Sequence, residues 1–135
     1  MKIYLSRAMA DAKDEGMYDH IYDLISILKV SDQDIEIFDP PVYYNYKERK
    51  HQTEKEVMRF ELENVRNSDI VIYDEEGIKS TGAAIELAVA YEHRIPILVL
   101  NIKQIGLHPW IEHMSNRVFN NPIELVEYIK WYYLG

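Results

Sequence analysis

The stretch Ser80-Thr81-Gly82-Ala83-Ala84-Ile85-Glu86-Leu87-Ala88 carries the sharpest chemical signal in the chain. Small residues open the helix it predicts, so a ligand can approach the first turn. Free backbone N–H groups and the helix dipole favour an anion there. Ser80 adds a hydroxyl and fits the N-cap position. Glu86 follows under two turns later, among Ala83, Ile85, Leu87 and Ala90. A carboxylate in so apolar a run is either paired or functional. The alternative is a glutamate on the solvated face, and spacing alone does not separate the two.

Glu61 is the second signal. Val57, Glu61 and Val65 recur at i+4 with Met58 beside them, which puts Glu61 on an inward stripe and Glu63 on the outer face. A carboxyl group on an apolar stripe has a raised pKa unless a partner compensates, and a raised pKa suits a general acid. With Glu86 it makes the two-carboxylate pair of a retaining glycosyl-transfer site. An internal salt bridge to Arg7, Arg59 or Arg94 is the structural alternative. Arg7, directly after the first strand, reads either as a phosphate contact or as a salt-bridge partner. His108 lies in a loop at the expected ligand edge. Gly77-Ile78-Lys79-Ser80-Thr81 lacks the spacing of a phosphate-binding P-loop, and no G-x-G-x-x-G follows the first strand. The histidines show no metal-ligand spacing, so neither a metal nor a cofactor is expected.

The elements that must position these residues alternate. Ile3-Tyr4-Leu5 is a strand, followed by a helix over about 14–29 with Met17, Ile21, Leu24 and Leu28 inward. Ile35–Phe38 is a second strand, stopped by Asp39-Pro40-Pro41. A tyrosine-rich stretch (Tyr43, Tyr44, Tyr46) leads to a helix over about 52–67. Ile70–Tyr73 is apolar throughout, as a central parallel strand should be. After the Ser80 helix, which runs to about His93, come a strand over Ile95–Leu100 and a short helix at Pro109–Met114. A strand at Arg117–Phe119 and a helix over about 122–133 complete the chain. Ile123, Val126, Ile129 and Tyr133 form the inner stripe of that last helix, and ordinary packing is the preferred reading of Tyr128, Tyr132 and Tyr133. The pattern predicts one domain over residues 1–135, a flavodoxin-like, doubly wound, five-stranded parallel α/β sheet. Ligands of such folds bind beyond the carboxyl ends of the strands, where loops 6–13, 39–51, 74–80 and 101–108 lie.

Composition narrows the classes. The chain has 135 residues, 47% hydrophobic and 28% charged, which suits one soluble core. Its net charge of −8 disfavours non-specific binding to nucleic acid or anionic membrane. It has no cysteine, hence no disulfide or thiolate metal site. No apolar run reaches the roughly 18 residues of a membrane span, and the N-terminus reads as a strand, not a signal peptide. The expected compartment is the cytoplasm.

The order Ile3-Tyr4-Leu5, Asp39-Pro40, Asn67-Ser68-Asp69-Ile70-Val71-Ile72 and Ser80-x-Gly82-x-x-x-Glu86-Leu87-x-x-Ala90 resembles the nucleoside 2-deoxyribosyltransferase superfamily. That superfamily includes 2′-deoxynucleoside 5′-monophosphate N-hydrolases and cytidine-monophosphate hydrolases. The likeness spans about residues 2–120 and is most specific at G-x-x-x-E-L-x-x-A followed by Ile95-Pro96-Ile97. It implies a flavodoxin-like fold and a covalent ribosyl-enzyme. Glu86 is then the nucleophile, and Tyr4 orients its carboxylate. Glu61 stands where the family carries an aspartate, contacting or protonating the base; the extra methylene is a departure that bears on base preference. Ser80 matches a position where free-nucleoside transferases have aspartate and monophosphate hydrolases have serine, which favours a 5′-monophosphate. Arg7, Asp39 and Gly82 join Ser80 as implied substrate contacts. His108 matches a residue lent to the neighbouring subunit's site, implying a homodimer or dimer of dimers.

Two readings compete with an N-ribosyl hydrolase or transferase. One is a non-catalytic nucleotide-binding or sensing module, for which glutamate at position 61 would be the mark. The other is a plain flavodoxin-like interaction domain, which has no need of a carboxylate at Glu86.

Overall fold

The computed structural model describes residues 1–8, 19–31, 34–40 and 53–134. Strands β1 (Lys2–Arg7), β2 (Glu36–Phe38), β3 (Ile70–Asp74), β4 (Ile97–Leu100) and β5 (Arg117–Phe119) form one sheet, in the order β2-β1-β3-β4-β5. Every pairing is parallel. This is the flavodoxin-like doubly wound order, whose ligand edge lies where the strand order reverses. β1 extends past its apolar core to Arg7 because β3 pairs with it residue by residue, up to Arg7 beside Asp74. β4 begins at Ile97. Pro96 has no N–H for a ladder, though its carbonyl still accepts from Val71 N at 2.9 Å.

The helices are α1 (Asp19–Ser31), α2 (Glu54–Arg66), α3 (Thr81–Glu92), α4 (Pro109–Met114) and α5 (Pro122–Tyr132). α2 starts at Thr53 through a capping box with Glu56, which the sequence reading did not single out. α1 and α5 cover one face of the sheet, where Leu24, Leu28, Leu125, Val126 and Ile129 meet Ile3, Leu5, Ile70, Ile72, Leu98 and Leu100. α2, α3 and α4 cover the other face, where Val65, Ala83, Leu87 and Ala90 meet Tyr4, Val71, Tyr73, Ile97 and Val99. Alternate residues of each strand therefore serve opposite cores.

The expected inner stripe of α5 needs one correction. Ile123 is 55% exposed, and Leu125 takes the buried place. At about 100° per residue, Ile123 falls roughly 110° from the centre of the Leu125–Val126–Ile129 face. Tyr128, Tyr132 and Tyr133 do pack on one another, with Tyr128 and Tyr132 stacked at 5.4 Å. Asp69 supports the sheet: its carboxylate accepts from Lys2 N at 2.8 Å, and its own N–H donates to Lys2 O. Met17, the side chain of Ile21 and the cluster Tyr43, Tyr44 and Tyr46 lie outside the described residues. Among the described residues, no helix is long and apolar enough to cross a membrane.

Candidate active site

Glu86 is buried, 6% exposed, on the side of α3 that meets the sheet. Two hydroxyls from β1 hold it. Tyr4 Oη donates a short hydrogen bond to Oε2, and Ser6 Oγ donates to Oε1 at 3.1 Å. Tyr4 and Ser6 are two residues apart, so strand geometry sends both to the same face. The Tyr4 ring is fully buried and stacks on Phe38 at 5.3 Å, which fixes where its hydroxyl can go. Among the described residues, no salt bridge involves Glu86. Burial pushes its carboxyl up to about 8. The two hydroxyl donors work in the opposite direction, because they favour the charged form.

The helix that carries Glu86 starts in the open. Ser80 caps it, with Oγ accepting from Ala83 N at 3.1 Å. The N–H groups of Thr81 and Gly82 belong to the first turn and have no intrahelical acceptor. Thr81, Gly82 and Ala84 are exposed. A Cβ added at Gly82 would meet only Ser80 Oγ, at 4.0 Å. The glycine is therefore not demanded by internal packing, and its bareness leaves room beside the helix start.

Glu61 is half-buried on α2, between the buried Val57 and Val65, which agrees with its expected stripe. Glu63 is exposed and pairs with Arg66 at 3.3 Å. α2 and α3 pack against each other on the same face, so Glu61 and Glu86 belong to neighbouring helices. His108 is exposed and caps α4, its Nδ1 accepting from Trp110 N at 3.1 Å.

The opposite face carries a different set of charges at the same edge. Arg7 and Asp39, both expected as substrate contacts, are paired with each other. Arg7 Nε donates to Asp39 Oδ1 at 3.1 Å and Nη2 to Oδ2 at 2.8 Å. Their side chains are 2% and 4% exposed, so the guanidinium is committed to a buried bidentate pair. Beside them, His20 Nε2 of α1 lies 2.9 Å from both oxygens of Asp74 and 2.8 Å from Glu76 Oε1. The hydrogen bond to Asp74 raises the His20 pKa, against a lowering by burial. Burial, with the Asp74 carboxylate beside it, pushes Glu76 up to about 7.

Sequence reasoning missed Ser6, although its i+2 relation to Tyr4 was there to be used. It also missed the His20, Asp74 and Glu76 group, whose members are distant in sequence and carry no spacing signature. An open depression of about 550 Å³, lined by Tyr91, Arg94, Pro96 and Asn116 among others, lies at the amino edge of the sheet. It is at the wrong end of the strands for Glu86.

The chain is thus a flavodoxin-like α/β protein with a buried, hydroxyl-held carboxylate on a helix that opens at the ligand edge. Known structures share this fold. A conserved protein from Enterococcus faecalis superposes with a TM-score of 0.78 at 19% identity, over 96% of this chain and 97% of that one. The 2-deoxyribosyltransferase of the psychrotolerant bacterium Bacillus psychrosaccharolyticus does so with a TM-score of 0.75 at 17% identity, over 95% and 92%. The CMP N-glycosidase of Clostridium botulinum has a TM-score of 0.64 at 18% identity, over 98% and 100%. No protein-family model matches the chain, and no curated protein does.

Proposed function

We propose that this protein breaks or transfers the N-glycosidic bond of a nucleoside or nucleoside 5′-monophosphate, with Glu86 as nucleophile. The observation that carries the reading is the Glu86 carboxylate, buried and held by Tyr4 and Ser6 beside a bare helix start. The fold shared with a 2-deoxyribosyltransferase and a CMP N-glycosidase supports it. One Glu86 oxygen bonds to the anomeric carbon as the bond from that carbon to the base breaks. The electron pair leaves with the base, which takes a proton from Glu61 or solvent. Water then attacks the anomeric carbon as its proton passes to Glu61 or solvent, the bond to Glu86 breaks with its electron pair returning to the carboxylate, and the sugar departs with a hydroxyl. A second base in place of water gives exchange. Arg7 is engaged by Asp39, so the case for a 5′-phosphate rests on Ser80 and the first turn of α3.

Free-base release, followed by liquid chromatography over a panel of nucleosides and 5′-monophosphates, tests the reading. Release by wild type and none by Glu86→Ala supports it; no release from any member, with or without an acceptor base, overturns it. One observation favours a second reading. A carboxyl raised to about 8 is mostly neutral at pH 7 and then serves as a hydrogen-bond donor. A non-catalytic nucleotide-binding or sensing module would retain its ligand intact, a result the same chromatography reports. We further propose a homodimer or dimer of dimers in the cytoplasm, in which exposed His108, beside the 77% exposed Trp110, completes the neighbour's site. Sedimentation of His108→Ala mixed with Glu86→Ala, together with recovered base release, checks that arrangement.

A further inference from the structure

We propose that His20, Asp74 and Glu76 bind a divalent first-row transition cation on the face of the sheet opposite Glu86. Three elements deliver the ligands: the first turn of α1, the end of β3 and the loop that follows it. Their ligand atoms all lie within 4.8 Å of one another. The group as it stands has more acceptors than donors. His20 Nε2 faces three carboxylate oxygens at 2.8–2.9 Å, yet an imidazole nitrogen carries at most one proton. Glu76 Oε1 is buried and, although 2.8 Å from Nε2, lies outside hydrogen-bonding geometry with it. Both carboxyl side chains are nearly inaccessible, 3% and 2% exposed, and two adjacent buried carboxyl groups need compensation, by a shared proton or by a cation.

The neighbouring cations supply it only in part. Lys103 Nζ stands 3.5 Å from Glu76 Oε2 on a side chain that is 57% exposed, so it can swing away. Arg7, whose charge also reaches His20, is taken by Asp39. An imidazole with two carboxylates suits zinc or manganese. Metal–ligand bonds of about 2.0–2.2 Å in a tetrahedral site put donors roughly 3.3–3.6 Å apart. The His20–carboxylate spacings of 2.8–2.9 Å open to that by side-chain shifts of about half an ångström. His20, 23% exposed, leaves a path from solvent. Binding releases the Nε2 proton to solvent. The ion would tie α1 to the end of β3, and it takes no part in the proposed reaction at Glu86.

Chelator-treated full-length protein titrated with zinc chloride by calorimetry tests the site, with the visible absorption of cobalt(II) as a second readout. The expected result is one ion per chain and a higher melting temperature with metal. Glu76→Gln and His20→Ala should each weaken binding at least about tenfold, a scale reached even by outer-shell partners of metal sites. Lys103→Ala, which keeps all three ligands, should bind as tightly as wild type or tighter. His20→Ala alters a partly exposed side chain and carries the test where Glu76→Gln does not fold. No saturable uptake by wild type, or equal affinity in wild type and His20→Ala, overturns the proposal. The readouts do not involve base release, so they separate this site from the reading of Glu86.

Discussion

Two groups of buried carboxylates share one edge of the sheet and face opposite ways, and their neighbours differ in kind. Behind the α2–α3 layer, Glu86 is held by two neutral hydroxyls. Behind the α1–α5 layer, Asp39 is held by a guanidinium, and Asp74 and Glu76 by an imidazole and an ammonium. Asp39, matched by a fixed guanidinium, is electrostatically satisfied and a poor nucleophile, whereas the Asp74–Glu76 pair is matched only in part. A carboxylate desolvated among hydroxyls keeps its charge concentrated, at the cost of ionising less readily. The strand period of two produces this contrast, sending Tyr4 and Ser6 one way and Arg7 the other.

The largest expected effect separates chemistry from charge at Glu86. Glu86→Gln should lower base release at least about 10³-fold, as loss of a covalent nucleophile does. It should also stabilise the fold at high pH. With its pKa raised in the folded state to about 8, Glu86 leaves stability intact below its ordinary value and erodes it as pH rises toward 8. Denaturant unfolding should therefore show Glu86→Gln about 1–4 kcal/mol more stable than wild type at pH 8.5, with the gap closing near pH 4.5. Across the sheet the sign reverses. Arg7→Ala leaves Asp39 buried without its cation and should cost about 3–5 kcal/mol in the same assay, with Asp39→Asn added to it restoring part of the loss.

A smaller effect sharpens the role of the hydroxyls. Tyr4→Phe should lower kcat/KM by roughly 10–100-fold, the range of a lost positioning or proton-handling group. Removing a donor that favours the charged form raises the Glu86 pKa further. The acidic limb of the kcat/KM profile, expected near 8 in wild type, should move to higher pH. Ser6→Ala should act in the same direction and less. Smallest is a change of substrate preference. Ser80→Asp keeps an N-cap, so melting should be unchanged. Its charge should lower the ratio of kcat/KM for monophosphate over nucleoside by about tenfold, and a constant ratio would remove phosphate from that position.

The fold was legible because its signals are local. Apolar runs marked β3 and β4, Ser80 marked the start of α3, and Pro109 and Pro122 marked α4 and α5. The Glu86–Tyr4 pair was reached through a family resemblance, since no periodicity links residues 82 positions apart. Asp39 was expected at a ligand and Arg7 either at a phosphate or in a salt bridge, while their engagement with one another depends on β2 pairing alongside β1. Likewise, His20, Asp74 and Glu76 meet only because α1 folds back over β3. Ile123 was misplaced for a local reason: at the first turn of α5 an apolar residue one step off the stripe is indistinguishable from one on it.

The most direct test of the account is the mass of the intact protein, quenched rapidly during turnover of its best substrate. Glu86 as nucleophile predicts an adduct of one sugar or sugar phosphate per chain, mapped by peptide fragmentation to Glu86 and missing in Glu86→Gln. An adduct on another residue, or undiminished base release by Glu86→Gln, would contradict it.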